Sequence, residues 1–455
     1  MTAPILLDQA RIAYQANRLD TAEALCRAAG AETDGGDRAA ALLLLAHIHR
    51  RRGQTDAAAE TVAAVLRDDP ASIPAAQAYT LMRALMSAGQ ARNWILIPGV
   101  PRNLPEFTAV LNGALALRAE GLADEILLST WTGQFSGNPG IARELEKHRV
   151  LWIESPEPRI TLAGHIIHQM KAFMAGLNAC PPGSRVLKLR TDKVPMLPAV
   201  WEGFRNALGG GLDREIGGGA GGDPAYPTIF SERVAVTSFG NFANLFCMND
   251  ITFFGRREDL LTLANMDARF FERFRSMAPE QWYFAHPFID RFPIFQSYFR
   301  IPLGMTHSAD LRRRLLAASL KNDTYARMVM SYAHLVSHYF RVGMQPRTPQ
   351  TVEVAAARCR GLTYEELLFT EDHGLGSFSA HVPDDLWLAP FLTNGMRPSP
   401  LGDRLQQAGE AVRPYAFHTA ANPAEIDADL EISGFHAAIH TLAASEPGTW
   451  FNTNT

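Results

Sequence analysis

The sequence contains little cysteine, and the cysteines it has stand far apart. Its 455 residues include four of them, with no Cys-x-x-Cys pair. This spacing argues against a disulfide framework and against a zinc ribbon, because both depend on closely spaced cysteines. Isolated cysteines of this kind are typical of a reducing compartment, so we expect a cytoplasmic protein.

Long apolar runs and a strong charge of one sign are also missing. No apolar run approaches the roughly 20 residues of a membrane span, and the first residues lack the basic and apolar regions of a secretory signal. The net charge of -4 and the isoelectric point near 6.4 argue against a nucleic-acid partner, since backbone phosphates require a concentrated positive surface. We expect membrane contact, if any, to be peripheral, at the inner face of the cytoplasmic membrane. The run Arg312-Arg313-Arg314 is either a contact for anionic lipid or a solvated helix face.

Alanine and leucine dominate residues 1–92, where a helical hairpin repeats at a spacing of about 34 residues. Asn17 precedes Ala22 by the same offset as Gly53 precedes Ala58, and Pro70 closes the second unit. Small residues at such positions let paired helices approach closely. The pattern resembles the tetratricopeptide repeat, which implies a concave surface for a protein partner or for self-association. An alanine-rich helical bundle without true repeats is the alternative.

From Trp94 onward, short apolar strands alternate with amphipathic helices. Strands are predicted near residues 94–97, 125–129, 150–153 and 186–189, and helices near 106–120, 141–148 and 160–178. This alternation predicts an α/β domain with a parallel sheet and right-handed crossovers. The loops that follow the strands then share one edge of the sheet, which is the expected ligand site. That edge carries Pro98-Gly99, Thr130-Trp131, Glu154 and Arg190-Thr191-Asp192.

The predicted organisation has three parts. Residues 1–92 form the helical repeats, 93–305 the α/β domain, and 306–455 a mostly helical extension of unknown role. Further strands are predicted at 233–237 and 251–254, and a further helix at 256–264. A glycine-rich segment within 209–222 is predicted to be a surface loop, because a phosphate cradle needs a strand before it and a helix after it.

Five short motifs follow one another between residues 94 and 292. They are Ser129-Thr130-Trp131, Gln169 with Gly176-Leu177, Lys188-Leu189-Arg190-Thr191-Asp192, the segment 250–255, and Pro279-Glu280-Gln281. This ordered set resembles the WavE-type lipopolysaccharide-synthesis family. The resemblance implies a glycosyltransferase of the GT-A type, with a Rossmann-type nucleotide-binding half and an acceptor-binding half, acting in lipopolysaccharide or other surface-polysaccharide synthesis. The chain departs from the family in its repeat domain, in its long extension, and at His168, where an arginine is expected.

The resemblance implies a binding site for a nucleotide-sugar donor at the sheet edge. The residues assigned to it are Pro98, Gly99, Thr130, Trp131, Gln169, Lys188, Arg190 and Asp192. Transfer releases a diphosphate, so positive charge is needed near the leaving oxygen. Asp192 is the candidate ligand for Mg²⁺ or Mn²⁺, while Arg190 stands where GT-A enzymes typically have a second acidic residue and can itself supply positive charge. A helix cap, or a salt bridge with Lys188 or Arg190 outside any site, is the structural alternative for Asp192. A place in the core is the alternative for Trp131.

Asp250 and Glu280 are the two candidates for the catalytic base that deprotonates a glycan acceptor. The alternatives are a turn residue before a strand for Asp250 and an N-terminal helix charge for Glu280. Two hypotheses for the whole chain follow. One is a glycosyltransferase that uses a nucleotide sugar, and the other is a non-catalytic interaction scaffold whose repeats carry the function.

Overall fold

The computed structural model describes most of the chain. The described residues are 2–16, 18–32, 35–87, 93–102, 104–159, 165–195, 198–216, 226–237, 245–248, 250–266, 279–301, 309–346, 348–369, 391–392, 395–412 and 422–445. The chain divides into two compact units, each built from two pieces. The first unit is Met1–Val194 with Arg256–Ala268, and the second is Pro195–Gly255 with Arg269–Thr455. The predicted boundaries at residues 92 and 305 remain predictions.

Helical hairpins open the first unit. They are formed by α1 (Ala3–Gln15), α2 (Leu19–Glu32), α3 (Gly36–Arg51), α4 (Thr55–Asp68) and α5 (Ile73–Ser87), and each helix contacts the next. Ala10, Ala22 and Ala58 are fully buried, because a methyl group leaves room for the neighbouring helix. Gly53 has φ +74° in the turn between α3 and α4, a conformation that favours glycine. The predicted hairpins are confirmed for these helices, while Asn17 lies outside the described residues.

A parallel sheet follows the hairpins in the same unit. Its strands are β1 (Asn93–Pro98), β2 (Glu125–Trp131), β3 (Leu151–Ser155) and β4 (Arg185–Lys188), in the order β3-β2-β1-β4. Every described pair among them is parallel, with Pro98 opposite Ser129 and Trp131 opposite Ser155. The carboxyl ends of the strands therefore lie at one edge, as the alternating pattern predicts. The α/β class is confirmed.

Helices connect and cover these strands. They are α6 (Leu104–Ala119), α7 (Gln134–Gly137), α8 (Pro139–Lys147), α9 (Ile166–Ala179) and, after a long excursion of the chain, α11 (Arg257–Ala264). Helix α9 packs on β1 and β2, and α11 packs on α9. Arg257 ties α11 in place, because its Nε donates to the carbonyl of Leu177 at 2.8 Å and its backbone N–H donates to that of Ser184 at 2.9 Å.

The second unit is mainly helical, and its described residues contain three short strands. Its strands are β5 (Val234–Val236), β6 (Phe253–Arg256, the last residue belonging to the first unit) and β7 (Phe340–Val342), and its helices include α10 (Pro198–Leu208), α12 (Pro279–Ala285), α13 (Ile294–Tyr298), α14 (Ala309–Ser319), α15 (Asp323–Tyr339), α16 (Pro349–Gly361), α17 (Tyr364–Phe369), α18 (Pro400–Val412), α19 (Pro423–Ile432) and α20 (Phe435–Ala444). Strand β6 is antiparallel to β5, whereas β7 is parallel to it. Aromatic side chains fill the core, with Phe288 in contact with Phe230, Phe246 and Tyr339.

The structure adds one strand that the sequence pattern does not predict. Strand β7 lies in the segment predicted to be helical, directly after α15, and its three residues are too few to show a period of two. The predicted strands near 233–237 and 251–254 and the helix near 256–264 are confirmed. Residues 217–222 of the glycine-rich segment lie outside the described residues. Within the described ranges, no helix is both long and apolar enough to cross a bilayer.

Candidate functional site

The loops that follow β1 and β4 meet at the carboxyl edge of the parallel sheet. Gly99 donates its backbone N–H to the carbonyl of Ser129 at 2.9 Å, which extends the β1–β2 pairing by one residue. The hydroxyl of Thr191 donates to the carbonyl of Val100 at 3.0 Å. Gly99 has φ +126°, and a Cβ there would lie 3.1 Å from Thr191 Oγ1. Only glycine suits both this conformation and this close approach, so backbone stays accessible where a ligand is expected.

Arg190 and Asp192 form an ion pair within the β4 loop. Arg190 Nε donates to Asp192 Oδ1 at 2.8 Å and Nη2 donates to Oδ2 at 2.9 Å, which is the two-pronged geometry that a guanidinium prefers. The Asp192 side chain is 42% exposed and that of Arg190 is 21% exposed. The hydrogen bonds from Arg190 lower the pKa of Asp192, so this carboxyl stays ionised. The pair gives the loop a fixed, partly exposed guanidinium.

This pairing bears directly on the expected cation. Both carboxylate oxygens of Asp192 accept from Arg190, and each keeps a second lone pair that could face a cation. Over the described part of the chain, no group of three or more His, Cys, Asp or Glu side chains is placed to hold a metal. The pairing neither supplies nor excludes a divalent cation, and Mg²⁺ or Mn²⁺ stays a prediction.

Thr130 and Trp131 lie inside β2, not in the loop after it. Both are buried, and Trp131 packs edge-on against His168 of α9, with ring centroids 5.8 Å apart. Their predicted place in a loop is wrong, because the strand continues for two residues past its apolar run by pairing with Glu154 and Ser155 of β3. Trp131 occupies the core position that was the alternative to stacking on a ligand.

Glu154 holds the turn that begins α7. The backbone N–H groups of Phe135, Gly133 and Gln134 favour the ionised form of its carboxyl and lower its pKa. Burial nevertheless raises the pKa of Glu154, because desolvation outweighs the effect of these N–H groups. The residue lies at the predicted edge and organises the loop after β2.

Two of the predicted donor residues, Lys188 in β4 and Gln169 in α9, do not lie in the loops at the edge. Lys188 is 2% exposed, and its Nζ lies 5.8 Å from the centroid of the Phe173 ring. Gln169 is half-buried on the first turns of α9. The structure therefore places Lys188 beneath the edge, whereas Pro98, Gly99, Arg190 and Asp192 lie at it.

The candidate bases belong to the second unit. Asp250 is buried and precedes β6 by three residues. Glu280 stands at the start of α12, and its side chain lies outside the described part of the structure. The neighbouring Gln281 is buried and donates to the carbonyl of Leu245 at 2.6 Å, so it packs the core. The catalytic roles of Asp250 and Glu280 stay predictions.

Two residues that the sequence pattern does not single out lie next to the sheet edge. Arg50 and Arg51 end α3 and are almost completely buried. Arg51 lines a small cleft, together with Tyr14, Trp131, Ser155 and Lys171, which we call the arginine cleft. Charged residues at a helix end are normally solvated, which is why this burial is not predicted. The sequence feature that could have indicated this burial is the position of both arginines close after the apolar run that ends at Ile48.

Comparison with known proteins identifies no relative. No family model, no curated protein and no solved structure matches this chain.

Proposed function

We propose that this protein is a glycosyltransferase that uses a nucleotide-sugar donor, with a GT-A-like α/β domain, in lipopolysaccharide or other surface-polysaccharide synthesis. The observation that supports this most strongly is the meeting of two loops, at Gly99 and at Thr191, beside the partly exposed Arg190 at the carboxyl edge of a parallel sheet. Ligands bind at that edge in open α/β sheets. The ordered motifs of the sequence favour a sugar nucleotide over other ligands of such a site.

Each of the predicted site residues has a separate role in the proposed sugar transfer. The acceptor oxygen forms a bond to the anomeric carbon while the bond from that carbon to the diphosphate oxygen breaks, and negative charge grows on the leaving group. The guanidinium of Arg190 donates to that diphosphate, and Asp192 holds the guanidinium in position. Pro98 and Gly99 provide the close backbone approach. Asp250 or Glu280 accepts the proton of the acceptor hydroxyl.

The test is a screen of nucleotide sugars for transfer or hydrolysis, with Arg190→Gln beside the wild type. We expect Arg190→Gln to lower turnover about 100-fold, the usual loss when one donor to a developing anion is removed. Arg185→Gln is the matched control, because Arg185 is an exposed arginine at the opposite end of β4. Equal turnover of Arg190→Gln and Arg185→Gln would contradict the proposal.

Three further variants assign the remaining roles. Asp192→Ala removes the carboxylate that holds Arg190, so we expect a smaller loss than for Arg190→Gln if Asp192 only positions the guanidinium. A strict requirement for Mn²⁺ that Asp192→Ala abolishes would show instead that the carboxylate is a metal ligand. Asp250→Asn and Glu280→Gln distinguish the two candidate bases, because only the true base loses turnover while donor binding survives.

The fully paired state of Asp192 favours one second candidate, a non-catalytic scaffold in which the helical hairpins dock a partner. Such a protein has no use for a nucleotide. Thermal unfolding with nucleoside diphosphates, with and without Mn²⁺, separates the two hypotheses, because a ligand of the folded state raises the midpoint. An unfolding midpoint that no nucleotide shifts would favour the scaffold. We propose the cytoplasm or the inner face of the cytoplasmic membrane as its location.

A further inference from the structure

A buried, uncompensated positive charge lies where α3 meets the end of β3. Arg50 is 1% exposed, and its Nη2 donates to Ser155 Oγ at 3.1 Å and contacts His47 Nδ1 at 3.3 Å. The other terminal nitrogen, Nη1, is buried and has no hydrogen-bond partner among the described residues. No carboxylate within the described ranges pairs with Arg50. A guanidinium buried in this way is costly unless an anion accompanies it.

Arg51 adds a second positive charge next to Arg50. Burial lowers the pKa of Arg50, and the charge of Arg51 lowers it further. Burial, together with the charges of Arg50 and Arg51, lowers the pKa of His47 to about 3, so this imidazole is neutral at physiological pH and adds no charge. The carboxyl end of α3 offers partial negative charge, but a helix end stabilises a cation only weakly. The helix alone does not balance a buried arginine.

The arginine cleft opens beside this charge. Arg51 is 4% exposed, donates through Nη1 to the carbonyl of Tyr14 at 2.8 Å, and stacks on the Tyr14 ring with its Cζ 4.5 Å from the centroid. Lys171 of α9 and Ser155 also line the cleft. The empty space is about 270 Å³ with its open mouth included, and the enclosed part has room for roughly one water molecule. A ligand larger than water therefore has to sit at the open mouth.

We propose that the arginine cleft binds a phosphoryl group of a phosphorylated ligand. The lining supplies the guanidinium of Arg51, the ammonium of Lys171 and the hydroxyl of Ser155, and several donors of this kind suit the oxygens of a tetrahedral, doubly charged anion better than those of a planar carboxylate. A bound anion also offsets the charge of Arg50, because Arg50 donates to Ser155 of the lining. This proposal does not depend on the transferase activity, since it concerns the binding of phosphate by the folded protein.

Calorimetric titration of the full chain with pyrophosphate at low ionic strength tests it. We expect saturable binding, and binding about tenfold weaker in Lys171→Gln, because one charge-assisted contact is lost. Lys147→Gln is the matched control: Lys147 is also a helical lysine of the first unit, but it is exposed and paired with Glu144. Circular dichroism checks that both variants fold. Absence of binding, or equal binding by Lys171→Gln and Lys147→Gln, would overturn the proposal.

A second measurement separates phosphate binding from a purely structural role of the arginines. Nuclear magnetic resonance at neutral pH should show the ring signals of His47 shifting when pyrophosphate binds, because an anion changes the field at the imidazole. Unchanged His47 signals at saturating pyrophosphate would place the anion elsewhere and overturn the assignment. Inorganic phosphate serves as the monoester probe in the same titration.

Competition identifies the source of the phosphoryl group. If a nucleoside diphosphate displaces pyrophosphate from the cleft, the site belongs to a nucleotide. If pyrophosphate stays bound at saturating nucleotide, the site takes a separate phosphorylated molecule. Both results support the proposal that the arginine cleft binds a phosphoryl group. Failure of the glycosyltransferase proposal would leave pyrophosphate binding intact, whereas failure here would leave sugar transfer by the wild type intact.

Discussion

Substitution of Gly176 by alanine tests how closely α9 packs on the sheet. A Cβ at this position would lie 2.3 Å from Cδ1 of Leu96, 2.9 Å from Cδ2 and 3.1 Å from Cγ. Carbon atoms normally pack at about 3.5–4.0 Å, so the Leu96 side chain would have to move by about 1 Å. Leu96 is fully buried in β1, and all three of its outer carbons are in the way, so rotation of one methyl group does not relieve the contact.

The magnitude follows from two opposing effects. Overpacking of a well-packed core costs about 1–3 kcal/mol, and the crowding here places the cost near the upper limit. Alanine gains about 1 kcal/mol over glycine in a helix interior. We therefore expect Gly176→Ala to lower the free energy of unfolding of the first unit by about 2 kcal/mol. Native-state hydrogen exchange of amides in α9 and β1 measures this locally, which keeps the second unit out of the measurement.

Two controls make the prediction refutable. Gly30→Ala lies in helix α2, where the nearest atom to an added Cβ is Ala41 Cβ at 3.9 Å, so it should stabilise by about 0.5–1 kcal/mol. Adding Leu96→Ala to Gly176→Ala should cost at least about 1 kcal/mol less than the two single changes together, because the new methyl group occupies part of the space that is vacated. A Gly176→Ala protein as stable as the wild type would refute the reasoning.

Three other predictions follow from the loops and the thiols. Gly99→Ala should destabilise by about 1–3 kcal/mol and weaken donor binding, since its φ of +126° strains any other residue; unchanged chemical denaturation would contradict this. Asp192→Asn should cost no more than about 1 kcal/mol at neutral pH, because its ion pair with Arg190 is partly exposed. Since the pKa of Asp192 is lowered in the folded state, this contribution is present above the unfolded value of 3.8 and is lost as pH falls through the folded pKa, which acid titration of both proteins measures. Of the four thiols, Cys247 should react first with a thiol reagent in the native protein, because the other three are buried; simultaneous reaction of all four would contradict the burial.

The sequence predicts the parallel sheet well because its strands are buried on both faces. Such strands are short apolar runs bounded by turn residues, as in Trp94 to Ile97. They can be recognised from the sequence alone. The same logic locates the edge where Gly99, Arg190 and Asp192 lie. The pairing of Asp192 with Arg190 is among the alternatives that the sequence offers, but the sequence does not decide between Arg190 and Lys188 as the partner, because a pattern of residues does not report which side chains meet.

Tertiary context decides the features that the sequence leaves open. Trp131 remains in β2 because β3 extends far enough to pair with it, and nothing in the local run of residues reports the length of a neighbouring strand. Strand β7 forms only because β5 lies alongside it. The burial of Arg50 depends on Ser155, which lies 105 residues further along the chain. The local periodicity of the sequence predicts none of these contacts.

The first unit is formed by two separate segments of the chain, and this affects how it folds during synthesis on the ribosome. Helix α11 packs on α9, and Glu258 Oε1 accepts from the backbone N–H of Gly183 at 3.0 Å. The chain up to Val194 therefore leaves the ribosome before its own closing helix has been translated, and the whole segment Pro195–Gly255 must be synthesised in between. At about 5–20 residues per second, synthesis of this segment takes several seconds. During that time the surface of α9 that later contacts α11 stays exposed. A nascent chain arrested before Arg256 should be more sensitive to protease at α9 than one arrested beyond Ala268, and it is during this interval that a chaperone would find a binding site.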